Sequence, residues 1–256
     1  MILKNSEILL TEPRGFCAGV ERAIEIVNRA VEIFDETIYV KHEVVHNKHV
    51  IEKLVEKGVV FVESLETVPD QSILIYSAHG VSKEISELAA KKRLKVFDAT
   101  CPLVTKVHFE IHKFASQNID VVLVGHSGHP EVEGTMGQYI SEKGKIHLVE
   151  TNDDIDKLKI ENENIAYVTQ TTLSVDDTKS IVSCLKNKFP SIIGPRKDDI
   201  CYATQNRQEA VKKILEYCDS LIVVGSQNSS NSQRLREIGV QYGIKSYLID
   251  DINQIN

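Results

Sequence analysis

The chain has 256 residues, a formal net charge of −7, 42% hydrophobic residues and 26% charged residues. This size and composition are those of a globular protein with one large domain or two to three small ones. The acidic balance argues against nucleic acid as a partner, because phosphate backbones are bound by clustered Lys and Arg. The sequence has no run of about 18 apolar residues and no apolar core of a secretory signal at its start. It therefore predicts no membrane partner and a cytoplasmic location.

The predicted elements alternate along the chain between helices and short strands. Three amphipathic helices each begin just after a cysteine, over 20–34, 104–115 and 211–218. A short apolar strand and a polar loop follow each helix, with the strands at 38–40, 121–124 and 221–224. Further strand-and-loop segments are predicted at 73–82 and 165–177, helices over 83–93 and 175–188, and a last strand at 246–249. This alternation predicts parallel sheets, in which ligands collect at the carboxyl ends of the strands.

Three cysteines, Cys17, Cys101 and Cys201, share one local pattern. Each follows an apolar strand-like run and a short polar loop, and each is followed by a helix. The repetition predicts an α/β fold of three lobes whose cysteines meet at one centre. The third repeat stops after its second strand, so we expect an incomplete third lobe, with residues 1–11 as candidates to complete it. The predicted lobes span residues 12–100, 101–200 and 201–256.

Three cysteines that lie far apart in the sequence favour an iron–sulfur cluster over a zinc site. Structural zinc is usually held by closely spaced cysteine pairs, and the sequence contains no Cys-x-x-Cys. Three thiolates on a [4Fe–4S] cluster leave one iron open to a substrate, as a Lewis acid. Two alternatives stay open here, namely a zinc module without redox chemistry and cysteines that are only small core residues. The core interpretation is preferred for Cys184 and Cys218, which lie in apolar helical stretches.

Polar loops after the predicted strands supply candidate anion-binding groups. Histidines lie in three of these loops, where polar side chains on a rigid scaffold are often functional: His46, His79, His126 and His129. The third repeat has other polar residues at the matching place: Ser229, Ser230 and Asn231. Such donors, helped by helix N-termini, can hold a phosphate or diphosphate without many lysines. The other histidines are interpreted as ordinary surface or core residues: His42, His49, His108, His112 and His147.

Glu131 and Thr171 are candidates for proton transfer. Glu131 lies in the loop HPEVEGT, and burial beside a metal centre would raise the pKa of its carboxyl group enough to keep a proton. The alternative is an acidic residue favoured at a helix N-terminus by the macrodipole, which applies also to Glu133. Thr171 and Thr172 can relay a proton or bind substrate, and the alternative for both is capping of the helix at Val175.

A set of motifs runs in order through the chain between about Ile8 and Asp251: RGFCAGV, VVHN, SAHGVS, DATCPLV, GHPEVEGTMGQ, TQTTLSVDDT, ICYATQNRQ and GSQNSSNS. This set resembles that of the 4-hydroxy-3-methylbut-2-enyl diphosphate reductases, which catalyse the last step of the methylerythritol phosphate route to isoprenoids. The resemblance implies three α/β lobes in a pseudo-threefold arrangement around one [4Fe–4S] cluster per chain. Its ligands would be Cys17, Cys101 and Cys201.

The resemblance also implies a substrate site and a reaction. The substrate diphosphate would be bound by three histidines and three residues of the last polar loop: His46, His79, His129, Ser229, Ser230 and Asn231. Thr171 would contact the substrate, and Glu131 would supply protons. The allylic hydroxyl would bind the open iron. Two electrons from a ferredoxin or flavodoxin and two protons would then expel water and leave isopentenyl and dimethylallyl diphosphate.

One departure from the family concerns its C-terminal part. Family members continue further and carry there a Gly-Ala-Ser-x-Pro-type loop whose serine binds diphosphate. The third repeat ends before this piece, as the internal comparison of the repeats also indicates. The alternative function is therefore a non-catalytic fragment or degenerate copy of the enzyme that still binds a cluster.

Overall fold

The structure of the chain is a computed structural model that describes residues 7–255. Its helices in this range are α1 (Ala18–Ile33), α2 (Lys48–Glu56), α3 (Lys83–Lys91), α4 (Pro102–Ser116), α5 (Pro130–Gly137), α6 (Asn152–Lys157), α7 (Val175–Lys188), α8 (Tyr202–Leu215) and α9 (Ser230–Gln241). Its strands are β1 (Ile38–Lys41), β2 (Val60–Val62), β3 (Ile73–Tyr76), β4 (Lys95–Asp98), β5 (Asp120–Val124), β6 (Ile146–Val149), β7 (Ile165–Thr169), β8 (Ser220–Val224) and β9 (Lys245–Ile249). None of the helices within residues 7–255 combines the length and the apolar character needed to cross a membrane.

The strands form three separate sheets that follow one another along the chain. The first sheet has the order β2-β1-β3-β4, the second has the order β6-β5-β7, and β8 pairs with β9 in the third. All pairings between these strands are parallel, which confirms the α/β fold with parallel sheets. Within residues 7–255 the third sheet has two strands, in agreement with a third lobe that is less complete than the others. The residue bounds given for the lobes remain a prediction.

The burial of the strands distinguishes the second sheet from the third. Every residue of β5 and β7 is buried, and their Val-rich sequences are typical of parallel strands covered on both faces. In β8 exposed and buried residues alternate, and the exposed side chains include Ile222 at 52% and Val224 at 73%. The third sheet is therefore packed against helices on one face.

Two of the three strands expected before the cysteines are absent within residues 7–255. β4 precedes Cys101, but residues 7–16 contain no strand, and the segment before Cys201 has only an isolated bridge between Ala166 and Ile193. The expectation is wrong there because Ile8 and the residues after it extend into solvent, and the segment before Cys201 is rich in charged and turn-forming residues. Residues 7–11 add no strand to the third sheet, and residues 1–6 lie outside the described range.

Hydrogen bonds close the three lobes into a ring around a common centre. Gln138, Gln208 and Lys48 provide one bond for each pair of lobes. These bonds run from Gln138 Nε2 to Val81 O (2.6 Å), from Gln208 Nε2 to Leu173 O (2.8 Å) and from the backbone N–H of Lys48 to Ser226 Oγ (2.9 Å). The polar loops that follow the strands therefore face one another rather than bulk solvent.

Candidate active site

The three cysteines of the repeated pattern occupy the same position in the fold, the residue just before a helix. Cys17 is the N-cap of α1, Cys101 that of α4, and Cys201 that of α8. Helix N-termini present unpaired N–H groups and positive partial charge, which favour anionic sulfur. The Cys201 sulfur accepts a hydrogen bond from the N–H of Thr204 at 3.4 Å, and the nearby backbone N–H groups of Leu103 and Val104 lower the pKa of Cys101 against the effect of burial.

Gly19 shows how closely two of these sulfurs approach the helix backbone. A Cβ atom at this position would lie 2.8 Å from Cys101 Sγ and 3.9 Å from Cys17 Sγ. The first distance is well inside the roughly 3.5–4.0 Å at which non-bonded carbon atoms normally touch. Cys101 Sγ can occupy this place only because residue 19 has no side chain, whereas the distance to Cys17 Sγ is an ordinary van der Waals contact. Gly19 was not predicted from the sequence, although a glycine in the first turn of a helix is a signal of close approach.

The thiols also influence one another electrostatically. Burial raises the pKa of Cys101 and of Cys201, and negative charge on other cysteines raises both pKa values further. Thiols in this arrangement become thiolates when a metal replaces their protons. Cys184 lies apart from this centre and packs against the core of the second lobe, as expected. Cys218 is half-buried and follows α8, which ends at Leu215, before the predicted end of this helix.

Three of the four loop histidines form a compact cluster of imidazole rings. The ring centroids are 4.3 Å apart for His46 and His79, 5.4 Å for His46 and His129, and 5.6 Å for His79 and His129. One ligating atom of each residue lies within 4.8 Å of the others. His126 does not join them, because its Nδ1 faces Glu150 Oε2 at 3.5 Å.

Hydrogen bonds and burial set the protonation of this cluster. His129 Nδ1 accepts the N–H of Glu131 at 3.1 Å, which leaves its Nε2 as the N–H donor of a neutral ring. Burial lowers the pKa of His79 well below its usual range and that of His129 to about 3, and positive charge on neighbouring histidines would lower both further. These two rings are therefore neutral at pH 7. His46 Nε2 is buried and has no hydrogen-bond partner among residues 7–255.

Glu43 connects this cluster to the third lobe and was missed by the sequence analysis. Its Oε2 lies 3.2 Å from His46 Nδ1 and accepts a hydrogen bond from Asn228 Nδ2 at 2.8 Å. This carboxylate therefore orients the His46 ring and ties it to the third lobe. Nothing in the local sequence indicates these contacts, because Glu43 has no special spacing to Asn228.

The first residues of α9 supply the polar groups predicted for the third lobe. Ser229 Oγ is the N-cap and accepts the N–H of Ser232 at 3.3 Å, so its own hydroxyl proton remains available. Ser230 Oγ donates to Thr172 O at 3.1 Å, which holds the loop against the second lobe. Asn231 Oδ1 is buried with no hydrogen-bond partner in the part of the chain that the structure describes. A buried polar atom without a protein partner is normally satisfied by a ligand, an ion or water.

Glu131 is buried in the first turn of α5 and is held by Thr171. The N–H of Thr171 donates to Glu131 Oε1 at 2.6 Å, and Thr171 Oγ1 lies 2.9 Å from Oε2. Burial raises the pKa of Glu131 to about 7, although both hydrogen bonds lower it. Thr171 and Thr172 are not caps, because Ser174 caps α7, and Thr172 accepts instead from the buried Gln170. A carboxyl group with this pKa can exchange a proton at neutral pH.

Backbone hydrogen bonds bring the cysteines, the histidines and the acid into one site. The N–H of Cys101 donates to Ala78 O at 3.0 Å, directly before one of the clustered histidines, and the N–H of Cys201 donates to Thr171 O at 2.9 Å. Negative charge on Glu131 raises the pKa of Cys201, as expected for close neighbours. Fold and site together define a three-lobed α/β protein that encloses three thiols, three imidazoles and a buried acid.

Comparison with known proteins identifies the family. A family model described as LytB protein matches residues 8–256, and the chain belongs to the LytB family. A curated relative, the 4-hydroxy-3-methylbut-2-enyl diphosphate reductase of Methylococcus capsulatus, is 62% identical over 250 residues, which cover 97% of this chain and 80% of the relative. The enzyme of the same name from Nitrosomonas europaea is 58% identical over 249 residues, with 97% and 77% covered.

Solved structures agree with this assignment. The E-1-hydroxy-2-methyl-but-2-enyl-4-diphosphate reductase from Plasmodium falciparum has a TM-score of 0.91 and 46% identity, over 96% of this chain and 76% of that chain. A structure of (E)-4-hydroxy-3-methyl-but-2-enyl diphosphate reductase, the terminal enzyme of the non-mevalonate pathway, has a TM-score of 0.71 and 32% identity, over 97% and 87%. Membership of this family of reductases makes the chain an oxidoreductase and implies an iron–sulfur cofactor.

Proposed function

We propose that the chain catalyses the reductive dehydroxylation of 4-hydroxy-3-methylbut-2-enyl diphosphate to isopentenyl and dimethylallyl diphosphate. The allylic C–O bond breaks, the carbon skeleton takes up two electrons and one proton, and the hydroxyl leaves as water with a second proton. One observation carries the proposal, namely that Glu131 touches both halves of the site. Its N–H donates to His129, and its carboxylate is held by Thr171, whose carbonyl accepts from Cys201.

The cofactor would be a [4Fe–4S] cluster with three ligands, Cys17, Cys101 and Cys201. The residues present fit this group, because each sulfur comes from a different helix N-terminus and Gly19 leaves room between two of them. N–H groups directed at cluster sulfurs are a general means of stabilising such centres. When bound, such a cluster would supply electrons and Lewis acidity beside the residues that bind the substrate.

The substrate diphosphate would be bound by the histidine cluster together with the start of α9. Donors for its oxygens are His129 Nε2, the hydroxyl of Ser229 and unpaired N–H groups at the N-terminus of α9. The buried and unpaired His46 Nε2 lies in the same region, and we assign His79, Ser230 and Asn231 to it as well. Glu43 Oε2 lies 3.2 Å from His46 Nδ1 and orients this ring.

Glu131 would deliver a proton to the departing hydroxyl, with Thr171 in contact with the substrate. Hydroxide is a poor leaving group, so its departure requires protonation as well as coordination. The neutral form of Glu131 is favoured by burial, and its ionised form is favoured by two hydrogen bonds from Thr171. Because burial outweighs these hydrogen bonds and raises the pKa of Glu131 to about 7, the residue can both hold a proton and release it at neutral pH.

The electrons would come from a ferredoxin or flavodoxin in the cytoplasm. The reaction consumes two electrons, and the given sequence carries no Gly-x-Gly-x-x-Gly fingerprint that would point to a bound nicotinamide or flavin dinucleotide as their source. This requirement fits a small protein carrier better than a bound dinucleotide.

The test is the iron and acid-labile sulfide content of anaerobically purified chain, followed by turnover with a chemically reduced carrier. We expect about four iron and four sulfide per chain, as a [4Fe–4S] cluster requires, and conversion of the allylic diphosphate. A chain with a full cluster and no turnover would support the alternative of a non-catalytic, cluster-binding protein. A chain that binds zinc but no iron would overturn the cofactor assignment.

A Gly19→Ala substitution should separate cluster binding from folding. Alanine inside a helix is more favourable than glycine by about 0.5–1 kcal/mol, so the apoprotein should be at least as stable as the wild type. The new Cβ, 2.8 Å from Cys101 Sγ, can be accommodated only if this sulfur moves, which a metal-bound sulfur cannot do. We expect iron per chain to fall well below the wild-type ratio while the apoprotein unfolds no earlier on heating.

The control is Ala18→Ser, which adds one atom to an exposed neighbour in the same turn. Iron content should stay at the wild-type level in this variant. A Gly19→Ala protein with a complete cluster would contradict the close approach of the two thiols.

A further inference from the structure

The three helices that begin at the cysteines each carry a cationic side chain in their second turn. These residues are Arg22 on α1, Lys106 on α4 and Arg207 on α8. Arg22 and Lys106 each follow their cysteine by five residues and Arg207 follows its cysteine by six, so the three cations lie at similar places in their helices. None of the three belongs to the candidate active site described above.

Each cation reaches across to the loop of a different cysteine. Arg22 Nη1 donates to Thr100 O at 3.2 Å, the residue before Cys101. Lys106 Nζ contacts Asp199 Oδ1 at 3.0 Å, two residues before Cys201. The cation on α1 therefore holds the loop of the second cysteine, and the cation on α4 holds the loop of the third.

Arg207 completes the cycle. Its Nη2 donates to Gly15 O at 2.7 Å, two residues before Cys17, while its Nη1 donates to Ala203 O of its own helix at 3.0 Å. Thus α1 holds the loop of Cys101, α4 holds the loop of Cys201, and α8 holds the loop of Cys17. The three contacts form a closed triangle around the cysteine centre.

Two of the contacts are made to backbone carbonyls, so they fix the peptide rather than a mobile side chain. The peptide between Thr100 and Cys101 is held on both sides, because its carbonyl accepts from Arg22 and its N–H donates to Ala78 O at 3.0 Å. The third contact is made to Asp199, whose side chain is fully buried and also accepts the N–H of Thr169 at 3.0 Å. Charge-assisted hydrogen bonds to well-packed partners are among the stronger ones in proteins.

We propose that Arg22, Lys106 and Arg207 form a cyclic brace that holds the three cysteine loops at the spacing of one metal cluster and retains the cluster in the protein. They are positioning residues, which act on the cysteines and not on the substrate. Within residues 7–255 neither Arg22 nor Arg207 forms an ion pair with a carboxylate. The positive charge of each guanidinium is therefore not neutralised, and it lies beside the loop of a cysteine. This inference rests on the proposed iron–sulfur function.

The test compares the rates at which iron is lost to a chelator from anaerobically loaded protein. The brace variants are Arg22→Met, Lys106→Met and Arg207→Met. Each has a matched control on the same helix, which removes an exposed cation outside the brace: Arg29→Met on α1, Lys113→Met on α4 and Lys213→Met on α8. We expect each brace variant to lose iron about tenfold faster than the wild type, as expected for the loss of a charge-assisted hydrogen bond, and the controls to match the wild type.

Two further measurements distinguish positioning from folding. Thermal unfolding of the apoproteins should be similar in the Arg22, Arg207 and control variants, whereas Lys106→Met should unfold earlier because it leaves the buried Asp199 carboxylate without its cation. The conservative variants Arg22→Lys, Lys106→Arg and Arg207→Lys keep a cationic donor and should recover most of the wild-type retention. Wild-type rates of iron loss in folded brace variants would overturn the brace, whereas a wild-type chain that binds no iron would overturn the proposed function instead.

Discussion

Replacement of any one of Cys17, Cys101 or Cys201 by serine is expected to abolish the cluster and turnover together. The thiolate is the form that binds iron, and a serine hydroxyl does not ionise near neutral pH, so two cysteines would have to hold the cluster. Because each cysteine is the N-cap of a helix, and serine is a good N-cap, the fold should survive. Iron and sulfide analysis, the visible spectrum and a turnover assay measure the outcome.

Cys184→Ser and Cys218→Ser are the matched controls. Both cysteines are half-buried and lie outside the centre, so these variants should keep iron, sulfide and turnover at the wild-type level. A full cluster in one of the three N-cap variants would remove that cysteine from the ligand set. Loss of the cluster in either control would mean that the assignment of ligands is wrong.

A Glu131→Gln substitution should lower turnover by about 100-fold or more, which is the range expected for loss of a general acid. Glutamine keeps the size of the side chain and an oxygen that can accept the N–H of Thr171, so folding and the cluster should be retained. The matched control is Glu133→Gln on the exposed side of α5, which should leave turnover unchanged. Iron content and substrate affinity, measured on both variants, show that only the chemical step has changed.

The pH profile gives an independent check of this role. The acid is competent when protonated, and burial raises the pKa of Glu131 to about 7, so wild-type turnover should fall as the pH rises through about 7. In Glu131→Gln the residual turnover should lose this dependence. If the two profiles have the same shape, Glu131 is not the titrating group, and unchanged turnover in the variant would exclude it from the mechanism.

Much of the fold could be predicted because local sequence carries its signals. The 3.6-residue period of apolar positions gave α1 and α4 within a few residues, and α7 was predicted at its observed bounds. The strands expected before Cys17 and Cys201 were wrong, because an apolar run becomes a strand only where a partner strand is available. β4 has such a partner in β3, whereas residues 8–10 extend into solvent.

The candidate site was predictable in its residue types but not in its supporting contacts. The loop cysteines and histidines could be found from their positions after predicted strands, whereas Arg207 and Gly15 are 192 residues apart. Nothing in the local sequence of either residue points to the other. His126 illustrates the same limit. It lies in the same polar loop as His129, so the sequence does not distinguish the two, and only the contact with Glu150 in the structure shows that His126 lies outside the cluster.

The neutral histidine cluster has a consequence for selectivity. With the pKa of His129 at about 3 and that of His79 also depressed, two of its rings carry no positive charge at neutral pH, so the free site attracts inorganic phosphate and nucleotides only weakly. A diphosphate that fits is bound by N–H groups of neutral rings, because His129 Nδ1 already accepts the N–H of Glu131 and leaves Nε2 as the donor. Small anions that contact only part of the cluster make fewer of these hydrogen bonds. A pocket built on imidazoles rather than lysines therefore selects its ligand by hydrogen-bond geometry more than by charge.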